Sequence, residues 1–440
     1  MKSARQTAFE ILNKINRDGS YSNLTLDSML NDSELSDMDA SLVSALVYGV
    51  LERSITLDYC LSRHLKQPLK KLKPQVLTAL RMGTYQLLFM DKIPVSAAVN
   101  ESVTLVKNNG CVFAAGLTNA VLRAVSREGL VLPDESDRER YLSVQYSFPL
   151  WIVRLWRESY GEENAEGIMA SCVGRPPLTV RVNTLRTTAP QLKQRLLEEG
   201  VEVMPAPCEN ALNLGKCGSI ERLTSFQKGL FHVQDAASQL CAAALDPKPG
   251  DTVLDLCSAP GGKAFTAAQM MNDAGKIICC DIHSHRLALI KEGAIRLGLQ
   301  SIDVALNDAS VFNDKLPMAE RVLCDVPCSG LGIVRRKPEI RFKDPAEVDN
   351  LPQMQYNILN CSANYVKRGG RLVYSTCTLN PAENEAVARR FLQERGDFSA
   401  IEPTVGGGNS FLRDHTLTLL PHINQTDGFF IAVFERGGRS

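Results

Sequence analysis

Beyond residue 235, short apolar runs at 252–257, 276–281, 302–308, 322–326 and 371–376 alternate with segments of helical pattern. That order leaves few folds open: it predicts a parallel, doubly wound α/β sheet of the Rossmann-like kind. A last apolar run, 428–434, has no helix after it and is expected to pair antiparallel at or near the sheet edge. Ligands of such sheets sit at the carboxyl ends of the strands, so the polar residues there are the first candidates for function.

A chain of 440 residues is too long for one core, and its pattern changes twice before the alternation begins. Residues 1–140 read as an all-α bundle. Ala8, Ile11, Leu12 and Ile15 repeat at helical spacing, and Pro68, Pro74 and Pro94 fit helix boundaries. Residues 141–234 read as a small α+β connecting domain, with strands at 178–185 and 229–233 around a helix at 190–199. Residues 235–440 form the α/β domain.

The first helix is amphipathic, unlike a signal peptide, and the apolar stretch 40–51 is too short to span a bilayer. None of the 13 cysteines are spaced as CxxC, so neither a zinc site nor a disulfide framework is indicated. A cytoplasmic, monomeric protein without a metal or a membrane partner is expected.

The first strand of the α/β domain runs into Asp255-Leu-Cys-Ser-Ala-Pro-Gly-Gly-Lys263. Gly261 and Gly262 let backbone approach a ligand, with a helix starting at about Lys263. Cys257 and Ala264 stand where a P-loop needs Gly and Ser or Thr, and a GxGxxG loop is absent. The next strands end at Asp281, at Asn307-Asp308 and at Asp325. A carboxylate at Asp281 suits the hydroxyls of a ribose, and the pair at 307–308 suits an adenine edge. One such acid alone is as well explained as a helix cap. Acids ending three successive strands beside a Gly-Gly turn point instead to a nucleoside cofactor without a phosphate requirement.

Two cysteines follow two different strands, Cys328 in Asp325-Val-Pro-Cys-Ser-Gly330 and Cys377 in Tyr374-Ser-Thr-Cys-Thr378, so both reach one cleft. A thiolate there is a candidate covalent nucleophile. Asn380-Pro-Ala-Glu383 has the form of a helix start, whose positive end would assist ionisation. Cys279, Cys280 and Cys361 lack such contexts and read as core filler.

The words CSAPGGK, DVPCSG and STCT, with FHVQDAAS before the domain and DGFF near its end, resemble the NOP/Sun family of RNA cytosine-C5 methyltransferases. The likeness reaches the amino-terminal third, where Pro68 to Pro74, Leu80 to Met90 and Ile93 to Glu101 are similar to a NusB-type RNA-binding domain. The whole chain therefore resembles the members that modify small-subunit (16S) ribosomal RNA. The resemblance implies S-adenosylmethionine held by Cys257, Ser258, Ala259, Pro260, Gly261, Gly262, Lys263, Asp281, Asp308 and Asp325. It makes Cys377 the nucleophile on cytosine carbon 6, gives Cys328 a part in releasing the methylated RNA, and has Lys263 and Asp325 orient the base.

Net charge is zero, 49 basic against 49 acidic side chains, which argues mildly against a nucleic-acid binder. Local clusters answer that: Arg63, Lys66, Lys70, Lys71 and Lys73 in one stretch, and Arg335, Arg336, Lys337, Arg341 and Lys343 in another. Lys70, Lys71, Lys73, Arg335, Arg336, Lys337 and Arg341 are the candidate RNA contacts. A cytosine must leave its stack to be attacked, so a structured RNA with an accessible base is the expected partner. Two rivals stay open. An RNA-binding assembly factor or antiterminator would use the helical domain alone, and a DNA cytosine methyltransferase would use Cys328 as nucleophile.

Overall fold

Proline and capping chemistry set where the helices of the amino-terminal part begin. The computed structural model describes residues 3–18, 26, 28–30, 35–405 and 411–437. It divides into two units, residues 1–174 with 334–343, and residues 175–333 with 344–440. In the first unit Pro74 opens helix Pro74–Phe89 and Pro94 caps helix Val95–Asn108, positions where the missing N–H costs nothing. Ser36 caps helix Asp37–Ser62 by accepting the Asp39 N–H. With helices Ala4–Asp18 and Ala115–Glu128 these enclose a core that includes Leu12, Val43, Leu46, Val47, Leu80, Val99 and Leu122.

Helix Asp37–Ser62 runs well past the apolar stretch 40–51, and by length and composition it could cross a membrane. Half of its apolar window is buried within the unit, as in a core helix. The first compact unit extends past residue 140. Helices Arg138–Tyr146, Leu150–Tyr160 and Glu162–Ser171 carry the helical unit on to Gly174. Thr56 Oγ1 donates to the Val144 carbonyl at 2.5 Å, and the Ile55 N–H donates to Ser147 Oγ at 2.9 Å, tying this extension to the long helix.

Arg341 explains why residues 334–343 belong to the helical unit, and it corrects an expectation. Its side chain is 1% exposed, so it does not face RNA. The guanidinium donates to the carbonyls of Glu52, Ser147 and Cys172 and lies 4.3 Å over the Phe148 ring. Burial pulls its pKa down to about 10, which still leaves it charged at neutral pH. Of the other candidates in this segment, Arg335, Arg336 and Lys337 are half-buried, whereas Lys70, Lys71 and Lys73 are exposed.

In the second unit β1 (Leu178–Val182), β2 (Val203–Pro205), β3 (Ala211–Leu214) and β4 (Phe231–Val233) form an antiparallel sheet in the order β2-β3-β1-β4. Helix Ala189–Glu198, closed by a Thr188–Gln191 capping box, packs Leu192 and Leu196 into the same core as Val180, Val182 and Phe231. The two short strands β2 and β3 had no visible alternation in the sequence.

The main sheet is built from β5 (Thr252–Asp255), β6 (Lys276–Asp281), β7 (Ile302–Leu306), β8 (Ala319–Asp325) and β9 (Val366–Thr376), all parallel. The carboxyl-terminal strands are β10 (Phe398–Ile401), β11 (Phe411–Arg413), β12 (Thr416–Leu419) and β13 (Phe429–Arg436). The order is β11-β12-β13-β9-β8-β5-β6-β7, with β10 paired to β13. Strand β13 is antiparallel to β9 as expected, but it is not an edge, because β12 and β11 continue the sheet beyond it.

Alternate residues of the same strands enter two separate cores. Leu254, Ile278, Cys280, Val322, Cys324 and Tyr374 face one, and Val253, Ile277, Cys279, Leu323 and Val373 face the other. Burial on both faces is why these strands read as unbroken apolar runs. Cys279, Cys280 and Cys361 are buried core residues, as expected.

Replacing Arg341 with Ala removes a buried donor shared by three carbonyls, and a loss on the order of 2–3 kcal/mol is expected in chemical denaturation of the full chain. Arg341→Lys is expected to recover little, since an ammonium lacks the planar fork. Unchanged stability in Arg341→Ala would contradict this account of the buried guanidinium.

Candidate active site

The strand order places β7, β6, β5, β8 and β9 side by side with their carboxyl ends aligned, so residues far apart in sequence meet there. Between β5 and β8 the sheet changes direction of winding, which is where a crevice opens in such folds. A cleft of about 160 Å³ lies here, lined by Asp235, Asp255, the 257–260 turn, Gly262, Lys263 and Asp325. Gly261 has φ 103, a left-handed conformation suited to glycine, and helix Gly262–Met270 follows directly.

Lys263 Nζ lies 2.5 Å from Asp325 Oδ2, and Ser375 Oγ donates to Asp325 Oδ1 at 2.8 Å. Burial by itself would lower the Lys263 pKa, but the Asp325 charge outweighs it and holds the ammonium above its ordinary value. The Lys263 ammonium also sits 5.2 Å from the Phe429 ring centroid. Asp255, 1% exposed, has no hydrogen-bond partner on either carboxylate oxygen, and burial pushes its pKa up to about 7.

The acids of the next two strands are engaged locally. Asp281 Oδ1 accepts the His283 N–H at 2.9 Å, and Oδ2 pairs with Arg286 at 2.9 Å. Arg286 reaches on to the Ala259 carbonyl at 3.0 Å, joining the end of β6 to the glycine turn. Asp308 is exposed, and its Oδ1 accepts from both the Ser310 N–H and Oγ, which lowers its pKa. Each carboxylate retains lone pairs for a further donor.

Past β8 and β9 the two cysteines converge, with Cys328 Sγ 3.3 Å from Cys377 Sγ. The Cys377 sulfur beside it, together with burial, raises the Cys328 pKa well above that of an ordinary thiol. What holds the loops together is Glu383, which is fully buried. Its carboxylate accepts from Ser329 N–H (2.8 Å), Ser329 Oγ (2.5 Å), Gln355 Nε2 (2.8 Å) and Asn380 Nδ2 (2.9 Å). Gln355 also donates to the Pro327 carbonyl at 3.0 Å.

The expected helix start at 380–383 is therefore corrected. Residues 380–384 form a turn, and the helix is Glu385–Glu394 with no side-chain cap. Glu383 has left the capping role for a cross-loop one.

Backbone contacts complete the frame. The Gly332 N–H donates to the Cys377 carbonyl at 3.0 Å, and the Gly428 N–H donates to the Gly332 carbonyl at 2.9 Å. A Cβ on Gly332 would stand 2.0 Å from the Gly428 oxygen, so only glycine fits. Asp235 Oδ1 accepts both the Ala237 N–H at 2.9 Å and the Asp427 N–H at 3.0 Å. These bonds give a physical reason for the words FHVQDAAS and DGFF: they close the cleft around the cysteine loops. Sequence reading missed Asp255, Arg286, Ser329, Gln355 and Glu383 as members of the site. Asp255 and Ser329 stood inside quoted motifs, whereas nothing local marks Gln355.

Fold and site together define a methyltransferase of the Rossmann-like class carrying helical and ferredoxin-like domains. The sequence pattern described as "16S rRNA methyltransferase RsmB/F" matches residues 242–435, that of the NusB family matches 2–127, and that of the RsmF/B-like ferredoxin-like domain matches 148–221. The chain is 40% identical over 445 residues to the probable ribosomal RNA small subunit methyltransferase B of Bacillus subtilis (strain 168), covering 99% of each. It is 40% identical over 446 residues to the probable ribosomal RNA small subunit methyltransferase B of Synechocystis sp. (strain PCC 6803), covering 99% of this chain and 100% of the other. The crystal structure of PH0851 matches with a TM-score of 0.82 at 25% identity, covering 98% of this chain and 99% of that one. The chain belongs to the RsmB/F family of 16S rRNA methyltransferases.

Asp255 supplies a pH signature. Its folded-state pKa of about 7 lies above the roughly 4 of an unfolded aspartate, so the folded protein holds a proton that the unfolded chain has lost. Stability against urea is expected to fall as the pH rises from about 4 to about 7, and the slope is expected to be shallower in Asp255→Asn. Equal slopes in the two proteins would contradict a neutral buried Asp255.

Proposed function

We propose that this protein transfers a methyl group from S-adenosylmethionine to carbon 5 of a cytosine in 16S ribosomal RNA, with Cys377 as the covalent nucleophile. The observation that carries the reading is the meeting of Cys377, Cys328 and the Lys263–Asp325 pair at the ends of β8 and β9.

The residues fit the methyl donor. Asp255 brings to the cleft a buried carboxyl group whose oxygens are open to a ligand. Asp281 and Asp308, with Arg286 fixing the turn 257–263, suit the nucleoside part. When bound, S-adenosylmethionine supplies an electrophilic methyl group.

The protein's own groups carry the rest. The Cys377 thiolate adds to carbon 6 of the cytosine, which makes carbon 5 electron-rich. After methylation, loss of the carbon 5 proton and elimination free Cys377. Cys328, with its sulfur 3.3 Å from that of Cys377, is close enough to take a part in product release. Lys263 and Asp325, locked to each other and to Ser375, orient the base. Lys70, Lys71 and Lys73, and at lower exposure Arg335, Arg336 and Lys337, supply cations for RNA phosphates.

The test is methyl transfer from labelled S-adenosylmethionine to naked small-subunit rRNA. Cys377→Ala is expected to lower turnover on the order of 10³-fold or more. Cys328→Ala is expected to accumulate an RNA–protein adduct that survives denaturation. Activity kept without Cys377 and lost without Cys328 would exchange their roles and indicate chemistry of the DNA-methyltransferase type. No transfer to any RNA would leave the assembly-factor reading.

A further inference from the structure

The helical unit exposes an aromatic ring in a stretch of sequence that carries no acids. In the short 3-10 turn Val112–Ala114, Phe113 is 70% exposed and Val112 before it 64%, whereas Cys111 and Ala114 are buried. Lys73 Nζ lies 5.1 Å from the centroid of its ring. Lys70 and Lys71 occupy the turn Leu69–Lys71 just ahead of Lys73, and all three lysines are exposed. Four residues beyond Phe113, on helix Ala115–Glu128, Leu117 is 38% exposed, and Arg123 lies further along the same helix, also exposed.

Charge sets this surface apart from an ordinary solvated face. The chain as a whole balances 49 cations against 49 acids, yet neither residues 59–90 nor residues 102–127 contain an Asp or Glu. Those two segments supply every residue of the patch. Arg63 and Arg81 are drawn off into ion pairs with Glu128 and Asp58. Among the described residues Lys70, Lys71 and Lys73 have no such partner. A lone exposed phenylalanine needs no explanation. One with a lysine ammonium 5.1 Å from its ring, two more exposed lysines just ahead of that lysine in the chain, and acid-free sequence around both, has the composition of a single-stranded nucleic-acid site. There, cations follow the phosphates and a ring stacks on a base.

We propose that Phe113, with Lys70, Lys71 and Lys73, forms a stacking site for one unpaired base of single-stranded RNA, separate from the site at Cys377. The inference rests on the RNA-methyltransferase reading above and adds to it an anchoring site on the helical unit. The ring takes any base, so the site fixes where a strand lies without reading its sequence.

The test uses the full chain and a fluorescein-labelled single-stranded RNA of about 12 nucleotides, within the span of known stacking sites. Phe113→Ala is expected to weaken binding roughly 5- to 100-fold, as loss of one stacked base does, with little change in salt dependence. Lys70, Lys71 and Lys73 changed together to Gln are expected to weaken binding and lower the salt slope by about 2. Phe113→Trp is expected to restore affinity and to show fluorescence quenching as RNA is added. In methyl transfer, Phe113→Ala is expected to raise KM for rRNA with little effect on kcat. Unchanged RNA affinity in Phe113→Ala, with methyl transfer by the wild type intact, would overturn this inference and leave the enzymatic reading standing. Loss of self-association in Phe113→Ala without loss of RNA affinity would reassign the surface to contact between copies. A wild type with neither RNA affinity nor methyl transfer would overturn both readings.

Discussion

Four hydrogen bonds converge on the Glu383 carboxylate, and the two cysteine-bearing loops are arranged around them. An unsatisfied buried carboxylate would be costly, so the loop after β8 and the turn after β9 must both bring donors to it. Ser329 comes from one side, Asn380 from the other, and Gln355 reaches in from helix Leu351–Ala363. Cys328 adjoins Ser329 directly, and Thr378, next to Cys377, shares a 2.6 Å hydrogen bond with Ser329 Oγ. These ties hold the two sulfurs 3.3 Å apart.

A second layer extends the same logic. Gly332 binds the Cys377 carbonyl and is itself bound by Gly428, while Asp235 binds the neighbouring Asp427. The loop carrying Cys328 is therefore held to segments that begin and end the methyltransferase domain. Lys263 adds an electrostatic tie, bonded to Asp325 and lying over Phe429. The two thiols and the charged pair are thus held in place by the protein's own hydrogen bonds before any ligand arrives. Such preorganisation is what covalent chemistry on a base needs.

Much of this was legible in the sequence, for identifiable physical reasons. Strands buried on both faces write themselves as apolar runs, so β5, β6, β8 and β9 were visible, and the edge strand β7 was legible from its apolar residues although they are only partly buried; with these came the strand-end acids and both cysteines. Antiparallel pieces such as β2, β3, β11 and β12, three or four residues each, are too short to leave a comparable pattern. Motif words located Lys263 and Asp325, although their mutual ion pair is a long-range fact. Glu383 was misread because Asn-Pro-Ala-Glu satisfies the local rules of a helix start, while tertiary donors decide its use. Arg341 was misread for a related reason: within a run of cations nothing local separates an arginine facing solvent from one buried against three carbonyls.

The central claim is that Cys377, rather than its neighbour, bonds to the base. The most direct measurement replaces cytosine with 5-fluorocytosine in the rRNA substrate. Fluorine cannot leave carbon 5 as a proton does, so the covalent complex persists after methyl transfer. Mass spectrometry of the digested complex then identifies the modified peptide. The account predicts a nucleotide carrying a methyl group attached to the peptide that contains Cys377. Attachment at Cys328, or turnover that leaves no cysteine adduct, would contradict it.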